Sequence, residues 1–221
     1  MPAMSTRYDA HSQQAGFEPG SGGRVLRNLL SIKRVRDMAE AESQALQLAQ
    51  DQAIDRIASD RRFTAADIQQ LHRLWLAPIY SWAGEYRTVD LSKGDFRFAN
   101  AAQIPRLMKE LEQGALAAHT PCLARDQDTN RLAHSLAVVH AELILIHPFR
   151  DGNGRVARLL ALLMGLQAGL PPLDFSPMLG RGRRSYIAGI HAAMGRRYEA
   201  LEGVFGKIID RTLKRAASSG R

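Results

Sequence analysis

Two strongly apolar segments with the spacing of amphipathic helices flank a short polar segment in the second half of the 221-residue chain. In each, apolar residues recur at steps of three and four, the periodicity of a helix with one buried face. Pro148 ends the first helix, and Gly169 followed by two prolines ends the second. The pattern predicts two helices joined by a short loop. The apolar positions are Leu132, Leu136, Val139, Leu143 and Ile146, then Val156, Leu159, Leu160, Leu163 and Met164.

The joining segment, residues 147–158, contains a histidine, a carboxylate, an asparagine between two glycines and two arginines. Because a proline disfavours the helical region for the residue before it, His147 is predicted to leave the helix in an extended or turn conformation. The sequence Asp-Gly-Asn-Gly at 151–154 predicts a tight turn whose backbone a ligand can approach. The second helix then begins at about Gly154. Its N-terminal N–H groups, with the arginines at 155 and 158, predict a site for a phosphate chain.

The composition favours a single globular domain with a full hydrophobic core, since 45% of the residues are apolar. No uninterrupted apolar run reaches the roughly 18 to 20 residues of a membrane helix, so we expect no membrane association. The N-terminal segment lacks the apolar stretch of a secretory signal, and the chain has one cysteine, Cys122. These features favour a cytoplasmic protein. An effector exported by a dedicated secretion machine is the alternative, because it would also have a polar N-terminus.

The net charge of +8 raises the question of nucleic-acid binding. The basic residues are dispersed over separate patches and lack the interleaved aromatic residues that stack on bases. We therefore interpret them as a solvated basic surface plus a polyphosphate pocket, with nucleic-acid binding unlikely. The patches are at 181–184, 196–197 and 207–215.

The other segments predict further helices and one hairpin. Val35 to Ala58 is rich in good helix formers and predicts one long helix or two. Thr64 and Asp67 have the spacing of a capping box that opens a helix through about Leu76. Residues 88–98 predict a short β-hairpin. Further helices are predicted at about 102–117, 185–194 and 201–213.

The segment 147–158 resembles the signature of the Fic (Fic/Doc) family, His-x-Phe-x-Asp/Glu-Gly-Asn-Gly-Arg-x-x-Arg, and fills all eight fixed positions. The resemblance extends to Ser81–Arg87 and to the segment 89–98, which is similar to the family's β-hairpin flap. It implies an all-α fold, a Fic-type helical domain with the short flap over the active site. It also implies transfer of AMP from ATP to a hydroxyl side chain of a target protein. The matching positions are His147, Phe149, Asp151, Gly152, Asn153, Gly154, Arg155 and Arg158.

Four units follow from composition and resemblance together. A flexible leader is expected at 1–23, an N-terminal helical segment at 24–59, the Fic domain at 60–215 and a flexible tail at 216–221. The resemblance implies ATP, Mg²⁺, a target protein with a Ser, Thr or Tyr hydroxyl and a small antitoxin-like inhibitor protein as partners. Two alternatives stay open. The donor could be another nucleotide or a diphosphate, or the chain could be a toxin or regulatory module that acts through a partner or DNA.

Within the signature, His147 is the candidate general base, because an unperturbed histidine is largely neutral near pH 7. Asp151 is the candidate Mg²⁺ ligand, with helix capping as the alternative. Arg155 and Arg158 are expected to bind phosphates, unless they only form a solvated helix face. Phe149 is expected to be a buried plug. Gly152, Asn153 and Gly154 would shape the anion cradle, and the glycine at 154 favours AMP transfer over phosphorylation.

Two further sites are predicted outside the signature. Lys93, Gly94 and Asp95 at the hairpin tip could dock the target backbone by strand addition, or form an ordinary exposed turn. Glu202 resembles the glutamate of the family's inhibitory helix, which pairs with the second signature arginine, here Arg158. In this chain Tyr198 stands where the family has Ser or Thr. An ordinary exposed glutamate is therefore the alternative for Glu202.

Overall fold

The computed structural model describes residues 9–10, 16–56, 60–122 and 128–219. It is mostly helical with one small antiparallel sheet, which confirms the predicted fold class. A π-helical turn, Glu112–Leu116, joins the third and fourth helices. The helices are α1 Val35–Arg56, α2 Ala65–Leu76, α3 Ile104–Leu111, α4 Ala117–His119, α5 Thr129–Ile146, α6 Asn153–Gln167, α7 Arg183–Ala193 and α8 Glu199–Ser219; the strands are β1 Asp9–Ala10, β2 Leu91–Lys93 and β3 Phe96–Arg97.

The two helices predicted from the apolar segments, α5 and α6, form the centre of the fold. Asp128 caps the N-terminus of α5, where its carboxylate accepts the N–H of Arg131 at 2.8 Å. α5 packs against both α6 and α8, and α6 also contacts α1 and α2. Nearly every residue of α5 and α6 with an apolar side chain is buried. Each fully buried Leu or Ile contributes about 1.5–3 kcal/mol of transfer free energy, so these helices hold the connecting loop in place.

The capping box predicted before α2 is present. The side chain of Thr64 accepts the N–H of Asp67 at 3.2 Å, and the carboxylate of Asp67 accepts the N–H of Thr64 at 2.9 Å. α2 packs along α1 and against α6, so that His72 and Trp75 of α2 lie behind the loop between α5 and α6.

The predicted hairpin is formed by β2 and β3. The strands pair antiparallel, with Ser92 opposite Arg97 and Lys93 opposite Phe96. Gly94 at the tip has a φ of +57°, a value that a glycine adopts without strain. β1 pairs with the other edge of β2, which makes the order of the sheet β1-β2-β3. Among the described strands, β1 and β3 are therefore the edge strands, and β3 is the hairpin strand with an unpaired outer edge.

The ends of the chain can be compared with the predicted leader and tail. Helix α1 begins at Val35, the predicted start, and lies within the segment 24–59. The chain before it folds back on itself, since the N–H of Glu18 donates to the carbonyl of Val25 at 2.8 Å. Residues 16–23 of the expected leader thus share hydrogen bonds with the following segment, while residues 1–8 and 11–15 lie outside the described residues. At the other end, α8 continues to Ser219 because residues 216–219 extend its helical hydrogen bonding. Residues 220–221 lie outside the described ranges.

Among the helices that the structure describes, none combines the length and the apolar character needed to cross a bilayer.

Candidate active site

His147 ends α5 and begins the loop that leads to α6. Its N–H still donates to the carbonyl of Leu143 at 3.0 Å, as in the last turn of a helix. Its φ and ψ of 53° and 59° place it in the left-handed region, which is a turn conformation and so the second of the two alternatives predicted from the following proline. The helical hydrogen bond and the sharp reversal at Pro148 together require this conformation. The imidazole is 4% exposed, so it is held at the floor of the site.

The orientation of this imidazole is fixed by a backbone carbonyl. Nδ1 of His147 lies 3.1 Å from the carbonyl oxygen of Ile144. A neutral ring that donates from Nδ1 to this oxygen carries its lone pair on Nε2. His147 therefore has the tautomer that a general base needs, with Nε2 as the accepting atom.

The aromatic ring of Phe98, at the end of the hairpin, covers His147. The two rings stack with centroids 3.6 Å apart and an angle of 18° between their planes. Phe98 in turn lies edge-on to Phe96 of β3 at 5.1 Å. The hairpin thus touches the candidate base through an aromatic side chain, a contact that sequence reasoning missed because position 98 is outside the signature.

A buried arginine, Arg87, joins the hairpin to the loop. Its guanidinium donates to the carbonyls of His147 at 2.7 Å, Val89 at 2.6 Å and Ala99 at 2.5 Å. Its own N–H donates to the carbonyl of Pro148 at 2.8 Å. Burial lowers the pKa of Arg87 to about 10, so the side chain stays charged at neutral pH. The guanidinium of Arg87 therefore holds together the two ends of the hairpin, at Val89 and Ala99, and the backbone of His147.

The loop after His147 is closed by Asn153. Its side-chain oxygen accepts the N–H of Phe149 at 2.8 Å, and its side-chain nitrogen donates to the carbonyl of the same residue at 2.7 Å. Phe149 is fully buried, as expected for a plug, and stacks on His72 with centroids 3.9 Å apart. Because both polar atoms of Asn153 bind the loop itself, its side chain shapes the cradle and is not available to a nucleotide.

His72 supports the loop from behind and was also missed by sequence reasoning. Its Nδ1 accepts the N–H of Gly84 at 2.7 Å, and its Nε2 lies 3.2 Å from the carbonyl oxygen of Asp151. Burial lowers the pKa of His72 to about 4. The ring is therefore neutral near pH 7, with its proton on Nε2 where it can donate to the loop.

The N-terminus of α6 is the place where the anion cradle is predicted. Gly152 is the cap, with a φ of +81°, and its carbonyl accepts the N–H groups of Arg155 and Val156 at 2.9 and 3.0 Å. The helix begins at Asn153, one residue before the predicted start. The N–H groups of Asn153 and Gly154 belong to the first turn, where helix geometry provides no intrahelical acceptor. Anions bind at such a turn because the helix dipole adds to these donors.

The two glycines of the cradle have different surroundings. A Cβ on Gly152 would lie 2.6 Å from a ring carbon of Trp75, closer than any real contact. A Cβ on Gly154 would meet only Nη1 of Arg158, at 3.8 Å. The side of the cradle at Gly154 is therefore open, and Arg158 lies next to it. Its contact with a phosphate chain stays a prediction.

Arg155, the predicted phosphate clamp, is bound to a carboxylate in the structure. Its Nη1 donates to Oε2 of Glu42 on α1 at 2.6 Å, and its guanidinium lies 4.3 Å from the ring centroid of Trp75. Glu42 is itself buried and accepts the hydroxyl of Tyr80 at 2.8 Å. The side chain of Arg155 is thus engaged in a buried ion pair behind the cradle. No sequence signal pointed to Glu42, which precedes Arg155 by 113 positions.

The carboxylate of Asp151 lies at the mouth of the cradle. Its Oδ1 accepts the N–H of Gly152 at 2.5 Å and lies 3.8 Å from Nη2 of Arg155. The structure thus places Asp151, Gly152, Gly154 and Arg158 around the same helix N-terminus, directly after His147.

The remaining predicted residues lie elsewhere. Lys93, Gly94 and Asp95 are exposed at the hairpin tip. Oε1 of Glu202 lies 2.8 Å from Nδ1 of His134 on α5, a different partner from the expected Arg158. The brake at Glu202 remains a prediction, since it requires this glutamate to change partners.

Comparison with known proteins agrees with this geometry. Residues 62–164 match the model of the Fic/DOC family. A protein of Salmonella typhimurium named "Probable protein adenylyltransferase Fic" is 33% identical over 67% of this chain and 71% of its own length. The chain belongs to the Fic/DOC family. The matched range contains the Fic/DOC signature, the hairpin, α5 and α6 as far as Met164.

Other relatives of this Fic/DOC protein differ in length. Protein adenylyltransferase VbhT of Bartonella schoenbuchensis is 29% identical over 69% of this chain, which spans only 30% of the length of VbhT. Among solved structures, the N-terminal Fic domain of a VirB-translocated Bep effector protein of Bartonella quintana, with bound ADP, is 26% identical. The match has a TM-score of 0.70 and covers 90% of this chain and 95% of that one.

Proposed function

We propose that this Fic/DOC protein is a protein adenylyltransferase that transfers AMP from ATP to a Ser, Thr or Tyr hydroxyl of a target protein. One observation carries the proposal: His147, with the tautomer of a base, lies six residues before a helix N-terminus of the kind that binds anions. The names of the relatives and the ADP bound to the similar effector domain support it.

In the proposed reaction, Nε2 of His147 accepts the proton of the target hydroxyl as its oxygen bonds to the α-phosphorus of ATP. The bond from that phosphorus to the bridging oxygen breaks, and pyrophosphate leaves. The N–H groups of the first turn of α6 and the side chain of Arg158 stabilise the phosphate charge. Arg155 acts indirectly, because its ion pair with Glu42 holds the cradle against α1.

The residues around the cradle fit a Mg²⁺ ion. Asp151 offers one carboxylate beside the phosphate site, and Mg²⁺ binds through one or two carboxylates, phosphate oxygens and waters. Within the described ranges, no three His, Cys, Asp or Glu side chains form a cluster suited to a metal cage. We propose Asp151 as the Mg²⁺ ligand; the ion would neutralise phosphate charge when bound.

The hairpin is the proposed docking site for the target backbone. Strand addition needs an unpaired edge. Since β1 pairs with β2, β3 offers that edge next to the tip residues Lys93, Gly94 and Asp95. Phe98, which stacks on His147, would keep the base in place beneath the docked segment.

A direct test is transfer of the α-phosphate label of ATP to proteins of a cell lysate. The wild-type protein should label at least one band, and His147→Ala should abolish the labelling. Titration with ATP is the matched control, because His147→Ala should bind ATP as tightly as the wild type does. Labelling that survives this substitution would refute the proposed base.

Donor choice is a second question, because the cradle binds phosphates mainly through backbone groups that do not distinguish bases. Another nucleotide or a diphosphate donor would use the same groups. Competition of unlabelled nucleotides against labelled ATP separates these donors. ATP-specific competition would support adenylyl transfer.

We further propose that Arg158 is where an inhibitory glutamate binds, either Glu202 or one from a small antitoxin-like protein. Glu202→Gly should raise transfer if the brake operates in cis; unchanged transfer by the folded variant would remove Glu202 from the proposal. We place the reaction in the cytoplasm of the producing cell. Export, as for the VirB-translocated relatives, is the alternative.

A further inference from the structure

The surface around α7 is basic. Residues 175–198 contain five arginines and no Asp, Glu or Lys. All five arginines are exposed. Among the residues that the structure describes, none of them pairs with a carboxylate, whereas Arg61, Arg106 and Arg211 do. We call this surface the basic face; its arginines are Arg181, Arg183, Arg184, Arg196 and Arg197.

The basic face also exposes apolar side chains. Leu179 is 56% exposed, Ile187 38% and Met194 63%. Ile187 follows Arg183 and Arg184 by one helical turn, so that these side chains lie on adjoining parts of the α7 surface. A solvated helix would not need large apolar groups among its charges, whereas an interface uses both.

A chain of aromatic contacts connects the basic face to the candidate base. His191 of α7 stacks on Phe96 of β3, with centroids 5.2 Å apart and planes 4° from parallel. Phe96 contacts Phe98, which stacks on His147. α7 therefore supports β3, the hairpin strand with an unpaired outer edge. A segment added to β3 would lie about 4.8 Å from it, on the strand that α7 contacts.

From this placement we infer that the basic face docks an acidic segment of the target protein beside the residue that is modified. The inference rests on the proposed function and adds the chemistry of the partner. Charge complementarity at such a surface steers association and selects partners. Arg97, exposed on β3, adds to the positive charge, while Asp95 at the tip opposes it. With these six arginines against one aspartate, an acidic segment is favoured.

The test compares two fluorescent peptides of equal length, each with a Ser, a Thr and a Tyr, one flanked by glutamates and one by lysines. Binding to the full chain is measured by fluorescence anisotropy at low and at high salt. The wild type should bind the acidic peptide roughly tenfold more tightly than the basic one, a preference that salt reduces. Equal affinities for the two peptides would overturn the inference.

The variant Arg183→Glu/Arg184→Glu should weaken binding of the acidic peptide roughly tenfold. Its control is Lys207→Glu/Lys214→Glu on exposed α8 positions, which changes the net charge equally and should alter binding less than twofold. Equal losses in both variants would refute a local docking face. The variant Arg183→Gln/Arg184→Gln only neutralises the two charges. It should lose less affinity for the acidic peptide than the glutamate variant does, which separates a charge effect from misfolding.

A different partner is possible for the same arginines. If the wild type shows no preference between the peptides but binds duplex DNA or phosphatidylserine vesicles, and the Arg183 and Arg184 substitutions abolish that binding, the inference is overturned in favour of that partner. The proposed function fails separately. If the acidic peptide binds preferentially but no AMP is transferred to any substrate, the docking face stands and the adenylyltransferase assignment does not.

Discussion

Gly152 and Gly154 are glycines for different physical reasons, which a matched pair of alanine variants separates. Gly152→Ala would place a methyl group 2.6 Å from the ring of Trp75 in a backbone with positive φ. We expect it to lower the free energy of unfolding by about 2 kcal/mol or more. In Gly154→Ala the methyl group meets only Nη1 of Arg158, at an ordinary contact distance of 3.8 Å, so the variant should keep or slightly raise stability. Urea denaturation measures both.

The same alanine variants also allow a prediction about activity. Gly154→Ala should fold normally yet transfer AMP more slowly, because its methyl group narrows the open side of the cradle. If Gly154→Ala proved both as stable and as active as the wild type, close approach of a ligand at this glycine would be excluded.

The ion pair between Glu42 and Arg155 is a second prediction at the scale of the residue. Glu42→Ala would leave the buried guanidinium with only the more distant carboxylate of Asp151, 3.8 Å from Nη2, and would remove the acceptor of the Tyr80 hydroxyl. Breaking such a pair costs about 3 kcal/mol or more, a loss visible in the urea midpoint. Glu40→Ala, at an exposed position of the same helix, should change stability by less than about 0.5 kcal/mol. Equal losses of stability in Glu42→Ala and Glu40→Ala would show that the ion pair does not stabilise the fold.

These residues show how far sequence could go. His147, the glycine turn and Arg158 were predictable, because their chemistry is local to one loop and one helix turn. The engagement of Arg155 was not predictable, since its partner belongs to a distant helix and helix spacing gives no information on tertiary pairing. Asn153 was predicted to shape the cradle, but only the structure shows that both polar atoms of its side chain form hydrogen bonds with the backbone of Phe149.

At the scale of elements, the hairpin and the loop depend on one arginine. Arg87→Lys keeps the charge but cannot donate in three directions at fixed angles to the carbonyls of His147, Val89 and Ala99. We expect the amides of the hairpin, residues 89–99, to exchange hydrogen at least tenfold faster. Transfer of AMP should fall as well, since Phe98 would no longer be held over His147. Hydrogen exchange read by mass spectrometry provides the measurement.

The control for this prediction is Arg97→Lys, at an exposed position of β3. It should leave hydrogen exchange in the hairpin unchanged. If Arg87→Lys and Arg97→Lys had the same exchange pattern, the hairpin would be held by its own strand pairing and not by Arg87.

Elements with strong local signals were predictable. The capping box at Thr64 and the glycine at the hairpin tip decide their backbone within a few residues, and both are found. The π-helical turn at residues 112–116 and the pairing of Asp9–Ala10 with β2 were not predicted. Neither has a local pattern, because each depends on how the surrounding elements pack.

At the scale of the whole molecule, the N-terminal segment and the region predicted as the Fic domain share one hydrophobic core. Met38, Ala49 and Ala53 of α1 belong to the same buried cluster as the residues of α5 and α6. A boundary at residue 59 could be proposed from composition. The hydrophobic core continues across this boundary, and so does the ion pair between Glu42 of α1 and Arg155.

The common core also predicts how stability depends on pH. His140 lies where α5 meets α7 and α8: its Nε2 is 2.9 Å from the hydroxyl of Tyr186, and its ring is edge-on to Phe205. Complete burial, reinforced by the charge of Arg158, lowers the pKa of His140 to about 3. Burial likewise lowers the pKa of His72 to about 4. Both rings are therefore neutral in the folded protein at pH 5, whereas they are protonated in the unfolded chain below its ordinary histidine pKa of 6.5.

The unfolded state thus binds more protons than the folded state at any pH between about 6.5 and 4, so stability must fall as pH falls through this window. Each of the two histidines should contribute a slope of up to about 1.4 kcal/mol per pH unit. Urea midpoints measured from pH 7.5 to pH 5 should show the decline before most carboxylates titrate. His140→Gln should flatten the slope, and His191→Gln, at an exposed position of α7, should not. A slope that His140→Gln leaves unchanged would mean that His140 is already protonated in the folded protein, contrary to its buried position among three helices.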